Sequence, residues 1–576
     1  MSTNKPTAIL IVFFLLLIST PAVSANLPRS EINQILTSFR TSTLVNFNDL
    51  LTQLLDSSVI SSETRDSVRR YLAEDTLDAD QSSRLYRLLG IYSRLRYGED
   101  ALETLRQLVA IPTYRVETIP QHENPEFHRF ATALAMLASQ YGLEFRNVDH
   151  RVYEITVPGS DSGLIGFHAH ADVVPVNPEL WGLEDGTRLD PFEVTQVEGR
   201  LYGRGTEDDK NGIVAALYAL RVIKEENLVP LRTLRLLVDT TEETTGEAIP
   251  YYFESNPIPD YNIALDGSYP VVIAEKGFGT VMATFPVRSG SGEGAEIVTL
   301  TGGLATNQIP SASVATILSR QPAELAREIS EAGRLYEASH GSNFRIDVNS
   351  ERNSVVLTVQ GVSAHSSEPE SGVNPVSRML DFLYTLQQQQ LFQSNHFTDA
   401  ASYAAENWGL DYYGNGLDLA YADSFMGPLT ASLTFVNVDS NSLRLAVNLR
   451  LPVGREPEAL LADIDTRLQN WVDGSNVEVA FDLSAAEPMY RNPEGAWVNA
   501  LLDVATENLD MPREFGSSAG ATSIHDLPNG VQFGLALPTE KYTGHNANEY
   551  KTIDQFLLDL QIVTETMARL GSMPQL

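Results

Sequence analysis

"LIGFHAHADVV", residues 164–174, is the stretch on which the reading of this chain turns. It is strand-like, and three metal-capable side chains, His168, His170 and Asp172, recur in it at every second position. In extended backbone the three share one face, but at about 3.3 Å per residue the outer two stand roughly 13 Å apart. One ion with bonds of about 2.0 to 2.2 Å cannot collect all three from a straight strand. At most two meet the same metal. One alternative for Asp172 is to orient His170 through its other ring nitrogen. Spacing alone does not choose between the histidines.

Outward from this strand, the loop "GRGTEDDKNG" (203–212) leads into the helix-like "IVAALYALRVIKEENL" (213–228), the strand-like "TLRLLVDTT" (233–241) and then "YNIALDG" (261–267). Strands alternating with helices argue for an α/β fold with a mostly parallel, helix-covered sheet. Between about Gly279 and Pro452 the pattern changes: strand-like "TVMATFPV" (280–287), "SVVLTVQG" (354–361) and "LRLAVNLRLPV" (443–453) surround a long polar middle and the helix-like "NPVSRMLDFLYTLQQQQ" (374–390). This predicts a separate α+β domain, 279–452, inserted into a first domain formed by 98–278 and 453–576. "EPEALLADIDTRLQNWV" (456–472) and the helix and strand alternation after it are expected to complete the first sheet. Residues 26–97, where Ile35, Leu36, Phe39, Leu50, Leu51, Leu54 and Leu55 recur at helical spacing, predict a helical N-terminal extension.

The chain has 576 residues, 43% hydrophobic and 20% charged, the composition of a globular protein with room for more than one core. Residues 1–25 begin with Lys5, continue through the apolar Ala8–Ile18 and end in Ala22-Val23-Ser24-Ala25, the pattern of a cleaved secretory signal. About eleven apolar residues are too few for a span that needs roughly 20, so the expected mature protein is periplasmic or secreted, with no membrane association after cleavage. There is no cysteine, so any metal must sit on His, Asp and Glu. A net charge of −35 disfavours nucleic acid and anionic membrane surfaces as partners.

Open α/β sheets bind ligands beyond the carboxyl ends of their strands, and each predicted end here carries acids or imidazoles: His168/His170/Asp172, Glu242/Glu243 and Asp266, with Asp208 and Asp209 in the loop between. These residues carry a resemblance. From about Gly98 onward the chain resembles the M20 family of metallopeptidases, nearest to its PepV-like dipeptidases with an enlarged lid domain. The family's H-x-D followed by V-V-P matches His170-Ala171-Asp172-Val173-Val174-Pro175. In order follow "GRGTEDDK" (Asp208), "TEETTG" (Glu242, Glu243), "LDGSYPVVIAEKG" (Asp266), "GVSAHSSEPESGVNP" (His365, Asn374), "NLRLP" (Arg450) and "GHNANEY" (His545).

The resemblance implies a zinc-peptidase-like catalytic domain holding two zinc ions, with Co²⁺ or Mn²⁺ possible substitutes. His170 and Asp266 would hold one ion, Glu243 and His545 the other, and Asp208 would bridge them. Such an arrangement suits ions about 3.5 to 4 Å apart and N/O ligands without sulfur. Asp172 would support His170; Glu242 would be the general base for the water between the ions. His365 would reach from the inserted lid to the oxyanion, and Arg450 and Asn374 would grip the substrate, Arg450 by its carboxylate. His168 has no implied role, and the remaining histidines, His525 among them, are read as structural. Asn374 also fits a plain helix N-cap before Pro375. Asn211, Thr241 and the loop "SSAGATS" (517–523) depart from the family pattern, which leaves the ligand set intact and the substrate preference open.

The expected activity is hydrolysis of unblocked dipeptides by an exported monomer whose large lid stands in for a second subunit. The alternatives are an N-acyl-amino-acid hydrolase or carboxypeptidase of the same family, and a non-catalytic metal- or peptide-binding protein. Retention of Glu242 beside a full ligand set speaks against the last.

Overall fold

Leu164–His170 lies at the centre of a nine-stranded sheet in a computed structural model that describes residues 27–303, 305–341 and 343–576. The expected secretory signal, 1–25, lies outside the described residues. Thr233–Asp239 flanks the central strand on one side and Tyr261–Ala264 on the other, both parallel to it, and Gly530–Gln532 extends the parallel centre. The outer strands differ from the expected mostly parallel sheet. Val152–Val157 and Glu144–Val148 add antiparallel at one edge, and Met489–Tyr490 adds antiparallel at the other.

All seven residues of the central strand are buried, which follows from helices on both faces. On one face Ile165 and Phe167 pack in a core with the apolar helix Lys210–Glu225 and with Ile553–Ser572. On the other, Ala248, Ile249 and Tyr252 of the short helix Ala248–Phe253 pack with Val152, Leu237 and Ala264. The chain leaves the central strand for its neighbour on one side and returns to its neighbour on the other. The carboxyl ends that carry His170, Glu242/Glu243 and Asp266 therefore meet at a topological switch point.

The N-terminal helices are not an appendage. Arg29–Phe39, Phe47–Asp56 and Ser62–Leu72 lead into a 31-residue helix, Ala79–Val109, begun by a capping box of Asp78 and Gln81. It runs straight through the expected boundary at 97/98. Leu85, Leu88, Tyr92, Leu102 and Leu105 lie in the same core as Val563 and Met567. Arg87, fully buried, pairs with the equally buried Glu565 of the C-terminal helix and with Glu507. The expected extension is thus part of the helical layer of the first domain.

The second domain is an eight-stranded, wholly antiparallel sheet with its own core, in the order Arg345–Ser350, Ser354–Gln360, Ala312–Leu318, Glu296–Gly302, Thr430–Val438, Ser442–Leu451, Gly277–Pro286, Ala480–Ala485. The expected boundary at Pro452 falls too early. Helix Pro457–Ser475 buries Leu460, Ile464 and Leu468 in the second core, and Ala480–Ala485 pairs with Gly279–Thr284. At about 1.5 to 3 kcal/mol for each buried Leu or Ile, that face decides which domain the helix joins. The chain crosses between domains at Glu275–Gly277 and again between Ala485 and Met489. Among the described residues no helix is long and apolar enough to cross a membrane.

Candidate metal centre

His170 ends the central strand, and its ring is fixed from both sides. Nδ1 donates to the peptide carbonyl of Asp172 at 2.8 Å, while Nε2 lies 2.9 Å from Asp208 Oδ1 and 3.6 Å from Asp266 Oδ2. His545 arrives from the opposite side, with Nε2 2.8 Å from Glu243 Oε1 and 3.1 Å from Asp208 Oδ2. Asp208 thus turns one oxygen to each imidazole. His545 holds this place with a left-handed backbone (φ 63°), a conformation that costs a non-glycine residue roughly 1 to 3 kcal/mol and tends to occur at functional sites. Ligand atoms of His170, Glu242 and Asp266 lie within 4.8 Å of one another, as do those of His170, Asp208 and Glu243.

The charges are unbalanced. Asp208, Glu243 and Asp266 have only His170 and His545 as ion-pair partners among the described residues, and Glu242 has none there. Burial, and then Asp266, push the Glu242 carboxyl well above its usual range; burial and Asp208 raise Glu243, and raise Asp266 to about 7. Burial opposes charge on both imidazoles, yet the surrounding carboxylates hold them well above the usual range, and the imidazoles in turn hold Asp208 low against its own burial. Clustered carboxylates that repel one another, joined by imidazole nitrogens and no sulfur, fit a pair of divalent cations of the zinc, manganese or cobalt type.

The Asp172 carboxylate has a second task besides its expected support of His170. Its Oδ1 is 3.6 Å from His170 Nδ1, an ion-pair distance, while the Asp172 carbonyl accepts the hydrogen bond of the ring at 2.8 Å. The carboxylate accepts the backbone N–H groups of Glu242 (3.2 Å) and Glu243 (3.0 Å), holding the turn that carries both. His168 lies apart: its Nε2 is 2.9 Å from Asn262 Oδ1, and burial holds its pKa down to about 4. The loop bearing Asp208 hangs on Glu549, whose Oε1 accepts the N–H groups of Gly205, Glu207 and Asp208. Asp209 accepts from His170 N–H and Gly212 N–H, and Lys210 donates its buried ammonium to the carbonyls of Leu108 and Ile111.

A cleft of about 610 Å³ separates this cluster from the second domain. His365 and Arg450 line the far wall, and Ser517–Thr522 runs between the walls. His365 Nδ1 lies 2.5 Å from the Ser367 hydroxyl and 3.3 Å from Ser367 N–H; with Nδ1 accepting from both, the ring proton sits on Nε2. His365 is exposed to the cleft, and desolvation there, then Arg450 and His545, push its imidazole down to about 4, toward the neutral form. Arg450 is 6% exposed, donates Nε–H to Asn448 Oδ1 at 3.1 Å, and has no carboxylate partner among the described residues; burial lowers it to about 10. Asn374 does not line the cleft. It caps helix Pro375–Gln388, accepting from Val376 and Ser377 N–H, and donates to Leu433 O.

Residues 166–569 match the family model of peptidase family M20/M25/M40. The chain belongs to that family. This M20 peptidase is 27% identical over 478 residues to the Beta-Ala-Xaa dipeptidase of Lactobacillus delbrueckii subsp. lactis, covering 81% of this chain and 95% of the relative. In fold it is similar to human carnosine dipeptidase 1 (TM-score 0.50, 14% identity, 84% of this chain and 99% of the other) and to the dipeptidase Dug1p of Saccharomyces cerevisiae (TM-score 0.50, 13% identity, 85% and 99%). Three contributors to the M20 site escaped sequence reasoning: Glu549, Gln121, which donates to Thr240 O, and Tyr542, whose hydroxyl donates to Asp208 Oδ2. Only Tyr542 and Glu549 had a local signal, lying three residues before and four after His545.

Proposed function

We propose that this M20 peptidase is an exported, monomeric dinuclear zinc dipeptidase that hydrolyses unblocked dipeptides. The observation that carries the substrate class is Arg450, a nearly buried guanidinium that no acid among the described residues neutralises, facing the carboxylate and imidazole cluster across one cleft. A free C-terminal carboxylate is the complementary group. His170 and Asp266 would hold one ion, Glu243 and His545 the second, and Asp208 both. When bound, the ions supply an acidified water and polarise the scissile carbonyl.

The chain's own residues do the rest. Glu242, held by its backbone against Asp172 and with its carboxyl pushed upward, takes the proton of the attacking water and passes it to the leaving amine. His365 offers Nε2–H to the carbonyl oxygen as that oxygen gains charge, and its neutral imidazole does so without repelling Arg450. Arg450 fixes the carboxylate end, and the Ser517–Thr522 loop meets the rest of the substrate. Asn374, committed to its helix cap and to Leu433 O, is left out of this reading.

The test is a panel of Xaa-Xaa dipeptides and their N-acetylated forms, with metal analysis of the same preparation. Cleavage of the free dipeptides alone, with two zinc ions per chain, supports this reading. Preference for the acetylated forms makes the chain an N-acyl-amino-acid hydrolase instead.

A further inference from the structure

The loop that meets the substrate is held by a buried network outside the metal centre. Glu275, fully buried, accepts four hydrogen bonds: from Thr522 N–H (3.3 Å) and its hydroxyl (2.9 Å), from His525 Nδ1 (2.8 Å) and from Gln532 Nε2 (2.6 Å). Glu275 is also the last residue before the chain crosses to the second domain. The next residue, Lys276, donates its N–H to Ser518 O (3.0 Å) and its ammonium to Pro428 O of that domain (2.6 Å). The return crossing is tied to the same point, because His525 Nε2 donates to Glu487 O at 2.7 Å. The two crossings touch: a Cβ at Gly277 would lie 2.3 Å from Ala486 O.

Both partners of His525 can only accept, one a carboxylate and one a carbonyl, so both ring nitrogens carry protons and the ring is an imidazolium. Burial opposes that charge, and the hydrogen bond and charge of Glu275 more than offset it; Asp526 adds to the effect. The other groups against the ring are Phe278, edge-on at 5.7 Å, and Arg491, whose guanidinium is spent on the carbonyls of His525, Leu527 and Gly530.

We propose that Glu275 and His525 are positioning residues for substrate binding: together they clasp both interdomain crossings to the Gly516–Thr522 loop. The loop and the domain bearing His365 and Arg450 thereby take one mutual arrangement around the substrate. Neither residue touches the reacting atoms. Loosening the clasp weakens substrate binding and leaves the proton transfers at Glu242 intact.

Glu275→Gln replaces one acceptor oxygen with an NH₂ that faces donors. The expected result is a KM for the preferred dipeptide raised about tenfold, with kcat within about threefold of wild type, unchanged metal content, and faster amide exchange of 516–523 in the substrate-free protein. His525→Gln is expected to do the same, and Thr522→Val, which removes a single hydroxyl bond, to raise KM about threefold. Should Glu275→Gln fail to fold, the other two variants decide. Unchanged KM and exchange overturn the proposal, and so does a fall in kcat at constant KM, the result of a merely structural role. The kinetic arm rests on the dipeptidase reading. The exchange arm needs no substrate, so if wild type cleaves no dipeptide the functional reading fails while exchange still judges the clasp.

Discussion

At the carboxyl edge of the first sheet, Asp208, Glu243 and Asp266 share two imidazoles with Glu242 beside them; on the same sheet, Glu275 accepts four hydrogen bonds. Both regions bury acids beside one cleft. A buried carboxylate must find donors, cations or a proton, and the two regions make different choices. Glu275 is satisfied from within the chain, which suits a group that fixes geometry. Asp208, Glu242, Glu243 and Asp266 are left short of positive charge, which suits a group that binds cations and handles protons. The same residue type serves structure or chemistry according to the donors around it.

The largest effect expected from breaking this contrast is at Glu242. Glu242→Ala should keep about two metal ions per chain yet lower kcat on the order of a thousandfold, whereas His545→Ala should lose metal as well. Metal analysis beside single-substrate kinetics separates the two, and unchanged turnover in Glu242→Ala would sink the mechanism. Next is Arg450→Ala, which should raise KM for dipeptides roughly a hundredfold, about 2.7 kcal/mol, with Arg450→Lys recovering only part of it. An unaltered KM would mean that the carboxylate is bound elsewhere.

A smaller effect concerns pH. His525 is raised above its ordinary value, so the stability it contributes is fully present below the unfolded value of about 6.5 and is lost as pH rises through the higher folded value. Wild-type Tm should therefore fall across that window relative to His525→Gln, in which this contribution is missing at every pH. Parallel Tm profiles for the two proteins would remove the imidazolium from the account. Smallest is Asn374→Ala, which should cost about 1 kcal/mol of stability through the lost helix cap, measured by denaturant unfolding, and leave KM alone. A rise in KM would restore it to the substrate site.

The gathering of carboxylates and imidazoles was legible because His170, Glu242, Glu243 and Asp266 stand at or just past strand ends and Asp208 and His545 in short, ordered stretches. What was not legible depends on tertiary context. Nothing local in "EPEALLADIDTRLQNWV" tells which of two sheets its apolar face will cover, and the answer, the second, shows only in the burial of Leu460, Ile464 and Leu468. Asn374 satisfies a cap and a family motif equally well on paper; the structure gives its side chain to Val376, Ser377 and Leu433. Asp172 does stand beside His170, but its hold on the backbone N–H groups of Glu242 and Glu243 depends on a turn about seventy residues away. His525 had no second metal-type residue beside it in any matched motif, and its partners Glu275 and Glu487 arrive from far along the chain.

The long helix Ala79–Val109 has a practical consequence for anyone shortening the chain. A cut at Gly98, where the recognisable motifs begin, divides this helix and removes Arg87, leaving Glu565 as a buried charge without its cation. It also strips Leu85, Leu88 and Tyr92 from the face of Ile553–Ser572, opening an apolar surface on the helix that closes the first domain. Such a fragment would carry every ligand and the base, and is expected to be insoluble. A unit that folds is expected to keep the whole of Ala79–Val109, which begins well before the motifs.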